Sequence, residues 1–279
     1  MSVRIILQKG NEFMDWEKQY KQMVLNARDS FDDVNKFLQP YFPKFLYKYS
    51  GCNSIFWKDR LYKGELYFCH SNKLNDLFDG AVKIDLKKAS REGTRLNQHL
   101  KQMLEISHKE KLDLTDEEII KSLSDFREDI RIASLSEAYD SEPMWAHYGE
   151  QHKGFCIEYD VSKMSNMKKR MLFKVIYGEK PDITEQIEEA WIGVGLSSCI
   201  FKSEGWAYEK EWRMFKICEI EDADKKYYFR KEIKAVYIGT DCEEKNKKII
   251  MDWARQENKE IYQMEIDYKE QKLSANRLI

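Results

Sequence analysis

Glu209, Glu211 and Arg213 fall on every second position as the segment WAYEKEWRMFKIC passes from polar to apolar. The apolar part is β-prone, and on a strand side chains two apart share one face. Two carboxylates on one face repel, so one of them takes a raised pKa or a cationic partner. Arg213 shares that face and is the candidate partner. Trp206, Tyr208 and Trp212 flank the charges. They would form a partly dry wall, where charge stabilisation is stronger. The competing reading is a solvated ladder of surface ion pairs. The chain has material for a buried setting, since 42% of its 279 residues are hydrophobic and 13% aromatic, enough for a sizeable core.

Strands and helices alternate along the rest of the chain. Phe13, Trp16, Tyr20, Met23 and Val24 recur at helical spacing and predict a helix over 12–39, stopped by Pro40 and Pro43. PKFLYKYS and GELYFCHS predict strands, the second opened by Gly64, and NKLNDLFDG predicts a turn. The Lys/Glu-rich stretch over about 85–129 reads as a helical insertion, with a capping box at Thr115 and Glu118. DIRIASLS predicts a strand and EPMWAHYGEQH a short helix. KGFCIEYDV, with Gly154 at its mouth, and LFKVIYG predict two further strands, and a helix follows over 182–201. After the charged strand come IKAVYIGT (strand), CEEKNKKIIMDWARQEN (amphipathic helix) and KEIYQMEIDY (last strand). No repeat or linker interrupts the run. The expectation is one α+β domain over 1–279. It would hold a single mixed or antiparallel β-sheet core, an N-terminal helix, a helical insertion and a C-terminal strand–helix–strand unit.

Several function classes drop out. Lys+Arg 47 against Asp+Glu 49 gives a net charge of −2. That argues against a basic nucleic-acid coat but allows a local basic groove. No run of about 18 apolar residues predicts a membrane span, so no membrane partner is expected. The start, MSVRIILQKGNEF, is charged too early for a signal peptide. Cys52, Cys69, Cys156, Cys199, Cys218 and Cys242 are scattered, with no CxxC. They point to a reduced, cytoplasmic protein with buried thiols and no metal. GxGxxG, GxxxxGK[ST], HExxH and GxSxG are all missing, and with them the strong signatures of dinucleotide, P-loop, zincin and hydrolase sites.

Chemistry-bearing residues gather in four places. The first is Tyr47-Lys48-Tyr49. The second is LYFCHSNKLNDLFDG, with Ser71, Asn75, Asp76 and Asp79. The third is SLSEAYDSEPMWAHYGEQHKGFCIEY, with Ser134, Ser136, Trp145, His147, Tyr148, His152 and Lys153. The fourth is FKSEGWAYEKEWRMF, with Lys202, Trp206, Glu209, Glu211 and Arg213. Met144 and Tyr148 are four apart on the short helix and read as core. Together these segments resemble the bacterial DUF2971 family over about residues 45–240. The family's Asn-Asp-Pro-Phe stands here as Asn75-Asp76-Leu77-Phe78. Its Cys-Phe-Ser falls on Ala133 to Ser136 without the Cys, so no catalytic cysteine is expected there. The family carries no established activity. The resemblance implies an accessory role of the phage-defence or toxin kind.

The order Lys48-Tyr49, Ser134-Leu135-Ser136, Glu209-Lys210-Glu211 is also similar to that of ADP-ribosyltransferase-like enzymes. This similarity implies NAD as substrate. Lys48, where Arg or His is usual, would meet its ribose or phosphates, and Ser136 would order the nicotinamide–ribose pocket. Glu211 would hold a ribose hydroxyl and stabilise the oxocarbenium-like cation left by nicotinamide. Glu209 and His147 complete the candidate catalytic set. The candidate binding set adds Tyr49, Asn75, Asp76, Trp145, Tyr148 and Trp206, with Tyr49 or Trp145 stacking a base. Lys153, Lys202 and Arg213 would meet the pyrophosphate. No metal is needed, and the acceptor would be a protein or a nucleic acid. Two other readings stay open. One is a metal-dependent nuclease or nucleic-acid binder, with Asp76, Asp79, Glu158 and Glu211 around Mg²⁺ and Lys153 nearby. The other is a non-enzymatic sensor or interaction module.

Overall fold

In the computed structural model the described residues are 15–26, 31–76, 78–80, 83, 130–182, 198–217 and 227–278. The helical insertion expected over 85–129, most of the helix expected over 182–201, and Cys218 lie outside them. The elements run in this order: α1 (Trp16–Leu25), α2 (Phe31–Leu38), β1 (Phe45–Ser50), α3 (Trp57–Tyr62), β2 (Glu65–Leu66), β3 (Cys69–His70), β4 (Ile130–Ser136), α4 (Glu142–Tyr148), β5 (Phe155–Asp160), α5 (Asn166–Arg170), β6 (Leu172–Lys174), β7 (Ile176–Tyr177), β8 (Phe201–Lys202), β9 (Glu211–Ile217), β10 (Tyr227–Tyr228), β11 (Ile233–Ile238), α6 (Glu244–Gln256), β12 (Glu260–Asp267) and β13 (Lys272–Arg277).

The main sheet has the order β13-β12-β11-β5-β1-β4-β9-β6, with β3 also on β4. Within the described part of this sheet β11 and β12 are the parallel pair, joined by α6 as a crossover of that kind requires. The fold is therefore α+β around a mixed sheet. The ladders are uneven. β1 pairs with β5 at all six of its residues, and β4 pairs with β9 at all seven of its own. Between β1 and β4 one registered pair is present, Tyr47 opposite Ser136. The sheet is thus two well-laddered halves hinged at a single point.

Apolar residues fill both faces. Leu46, Ile157, Val236, Ile238 and Ile261 pack one face together with Ile250, Trp253 and Ala254 of α6. Those three α6 positions are a helical stripe. Tyr47, Tyr49, Cys156 and Tyr237 pack the other face with Met144 and Trp145 of α4. Burying each such side chain is worth roughly 1.5–3 kcal/mol. Gly154 is required where β5 begins. A Cβ there would stand 2.1 Å from the carbonyl oxygen of Ser50.

The structure departs from the sequence-based expectations in several places. The single helix expected over 12–39 is two, because the chain turns extended at Asn26. GELYFCHS is not one strand. β2 pairs with β10 and β3 with β4. LFKVIYG likewise divides into β6 and β7, which join different sheets. A hairpin strand, β13, follows the strand expected to be last. Cys52, Cys69 and Cys242 are only partly buried, unlike Cys156 and Cys199.

Candidate active site in the split of the sheet

A cavity of about 400 Å³ lies where β1 and β4 part, within the range usual for small-ligand sites. Lys48, Tyr49 and Ser50 line it from one half of the sheet, with Ile157 and Tyr159 behind them. Ser134, Leu135, Ser136 and Glu211 line it from the other half. Lys202, Glu209, His147, Tyr148 and Asn75 complete the enclosure, and Arg60, Tyr67 and Lys73 lie on the α3 side. Lys48 occupies the gap in the ladder. Its Nζ donates to the carbonyl of Ser134 at 2.8 Å.

Glu209 and Glu211 do not share a strand. Glu209 ends a 3-10 helix (Glu204–Glu209), Lys210 is left-handed (φ 45, ψ 51), and β9 starts at Glu211. The period-two expectation therefore fails for Glu209. The turn nevertheless brings both carboxylates to Lys202, whose Nζ is 2.5 Å from Glu209 and 3.3 Å from Glu211. Arg213 grips Glu211 from the strand itself, with Nε 2.9 Å from Oε1. It closes a fork on Asp79 at 2.8 and 2.5 Å and donates to the carbonyl of Cys199. Tyr148 donates its hydroxyl to Glu209 at 2.6 Å and accepts from Asn75. Asp79, Glu209 and Glu211 thus face Lys202 and Arg213, three carboxylates against two cations, all buried.

That imbalance separates the two glutamates. Burial pushes Glu211 up, but Arg213 and then Lys202 outweigh it and hold the carboxyl at about 2. Burial and then the charge of Glu211 push Glu209 above the ordinary value, against the pull of Lys202. Two carboxyls driven apart in this way are the arrangement that acid–base chemistry requires. Burial, then Arg60, pull Lys48 down.

Several residues expected at the site lie elsewhere. Trp145 is fully buried beneath Tyr49, edge-to-face at 5.2 Å, with its indole N–H on the Tyr139 carbonyl. It cannot stack a ligand. Arg213 is sealed in by its partners and cannot reach a pyrophosphate. Lys153 lies with Glu150 and Gln151 in a separate shallow recess. Trp206 holds its ring over Lys202, 4.7 Å away, without lining the cavity. Asp76 caps the N–H of Phe78 behind the wall, and its Oδ2 is buried without a hydrogen-bond partner. Ser136 lines the cavity, but its hydroxyl is committed to Glu209 O and Ala138 N. Tyr49 gives its hydroxyl to the Ala138 carbonyl. Tyr148, expected in the core by its spacing, lines the cavity with Met144. The four carboxylates of the Mg²⁺ reading do not gather. Glu158 is held by Lys234 and Tyr237, whereas Asp79 and Glu211 share Arg213. Among the described residues no three His, Cys, Asp or Glu side chains form a metal-sized group.

Sequence reasoning missed Arg60, Ser50, Tyr67 and Tyr177. Tyr177 accepts the backbone N–H of Glu211 at 2.7 Å through its hydroxyl. Tyr67 stands inside the LYFCHSNKLNDLFDG segment without having been singled out, and the tertiary fold is what brings the other three here.

Residues 144–214, from α4 into β9, match the model of a family described as a protein of unknown function, DUF2971. No curated protein and no solved structure matches the chain. The likeness to ADP-ribosyltransferases rests on the order of three short motifs alone. No helix among the described residues is long and apolar enough to cross a membrane.

Proposed function

We propose that the chain is an enzyme that cleaves the nicotinamide–ribose bond of NAD or a closely related nucleotide, passing the ribosyl group to water or to an acceptor hydroxyl. The observation that carries the reading is the pair Glu209–Glu211, split in protonation and set beside a ligand-sized cavity. In the proposed step the C1′–N bond breaks and its electron pair leaves with neutral nicotinamide. The ionised Glu211 stabilises the cation formed at C1′. An O–H nucleophile then bonds to C1′ and gives its proton to Glu209, whose raised pKa makes it the better base of the two. Tyr148 and Lys202 hold Glu209 in place for that transfer. Tyr49 and Tyr67 supply aromatic surface on the wall toward which the base would lie.

The test is nicotinamide release from NAD, with and without EDTA, for wild type and Glu211→Gln. The proposal expects release that survives EDTA and falls at least a hundredfold in the variant, with the variant still folded by circular dichroism. Equal release by both proteins contradicts it. The committed hydroxyl of Ser136 favours a second reading, a binding module without turnover. NAD binding by calorimetry with no nicotinamide released would select that reading.

A further inference from the structure

The wall facing the two glutamates carries its own charges. Arg60, in the last turn of α3, and Lys48, in the middle of β1, both line the cavity. Arg60 is close enough for its charge to act on Lys48, and after burial it is the largest influence pulling Lys48 down. Their hydrogen bonds go to neutral acceptors, Arg60 Nη1 to the Ser50 hydroxyl and Lys48 Nζ to the Ser134 carbonyl. Neither makes an ion pair among the described residues, although carboxylates saturate Lys202 and Arg213 a strand or two away. Lys73 adds a third cation to the lining. Glu65 also lines the cavity and acts on Arg60, and Glu209 and Glu211 act on Lys48, but none of them closes an ion pair with either cation. Two like charges left in this way in a partly buried cavity are costly to the fold. An arrangement of that kind fits an anion that arrives with the ligand, and an Arg fork beside a Lys point charge suits the oxygens of a phosphate.

We infer that Arg60 and Lys48 form a phosphate-binding subsite, so that the ligand of this cavity carries a phosphate or pyrophosphate group. The subsite deepens the NAD reading but does not depend on cleavage. Arg60 is the residue that no motif identified.

Calorimetry with inorganic pyrophosphate at fixed ionic strength tests it, with sulfate as the competing anion. The inference expects saturable binding to the wild type, weakened at least tenfold in Arg60→Met and in Lys48→Met, and largely kept in Arg60→Lys. It also expects unliganded Arg60→Met to melt no lower than wild type, because the substitution removes a like charge. Absent pyrophosphate binding, or equal binding by wild type and Arg60→Met, overturns it. So does a drop in melting temperature with unchanged affinity, which is the mark of a structural arginine. Pyrophosphate binding that depends on Arg60, in a protein that releases no nicotinamide, upholds the subsite and rejects the cleavage reading.

Discussion

The two walls of the cavity treat charge in opposite ways. On the β8–β9 wall every charged group has a charged partner. Lys202 lies between two glutamates, and Arg213 is forked onto Asp79 and bonded to Glu211. On the β1–α3 wall Lys48 and Arg60 bond only to neutral oxygens. Breaking a saturated buried network strands a charge in low dielectric, whereas removing one of two like charges relieves the other. The first wall ties β8 to β9 and sets the glutamates. The second is arranged for something outside the chain.

The largest effect should come from the saturated wall. Arg213→Met leaves Asp79 and Glu211 without their fork and should cost about 3–5 kcal/mol in urea unfolding. Under about 1 kcal/mol would mean the network is not the anchor it looks to be. Acid acts on the same wall. Glu211 has its carboxyl at about 2 when folded against an ordinary 4.5. Its contribution, about 3 kcal/mol, is present above pH 4.5 and fades as pH falls toward 2. Glu209 works in the opposite sense. Its raised pKa contributes stability below 4.5 that is lost as pH rises through the folded value. Glu211→Gln should therefore flatten the acid limb of stability between pH 5 and 3, read as the urea midpoint (roughly, from the linkage relation).

Smaller effects sharpen the contrast. Tyr148→Phe removes the hydroxyl bonded to Glu209 and should cost about 1 kcal/mol. It should also raise the pKa of Glu209 further, seen as an upward shift of the base limb in any pH–rate profile. Lys153→Met, in its separate recess, should change neither pyrophosphate affinity nor stability by more than about 0.5 kcal/mol. A larger change would extend the cationic wall beyond the cavity.

Local signals carried much of the fold. The β-prone runs FLYKYS, IRIASLS and FCIEYD mark β1, β4 and β5, and the stripe Ile250–Trp253–Ala254 marks α6. The split between β1 and β4 was not legible, because register between distant strands leaves no local trace. Glu209 shows the same limit. Its spacing from Glu211 reads as one strand face, but the left-handed Lys210 turns the chain, and tertiary contacts with Lys202 restore the pairing by another route. Local residue density marked Trp145, and spacing from Glu211 marked Arg213, as candidate site residues. Their burial beneath Tyr49 and behind Asp79 depends on neighbours far away in sequence.

The proposed chemistry turns on two carboxyls that share one lysine yet hold protons differently. Carbon-13 NMR of the glutamate carboxyls across pH, assigned with Glu209→Gln and Glu211→Gln, measures this directly. The expected result is a Glu211 resonance still ionised near pH 3 and a Glu209 resonance that titrates above 4.5. Two resonances titrating together near 4.5 would contradict it.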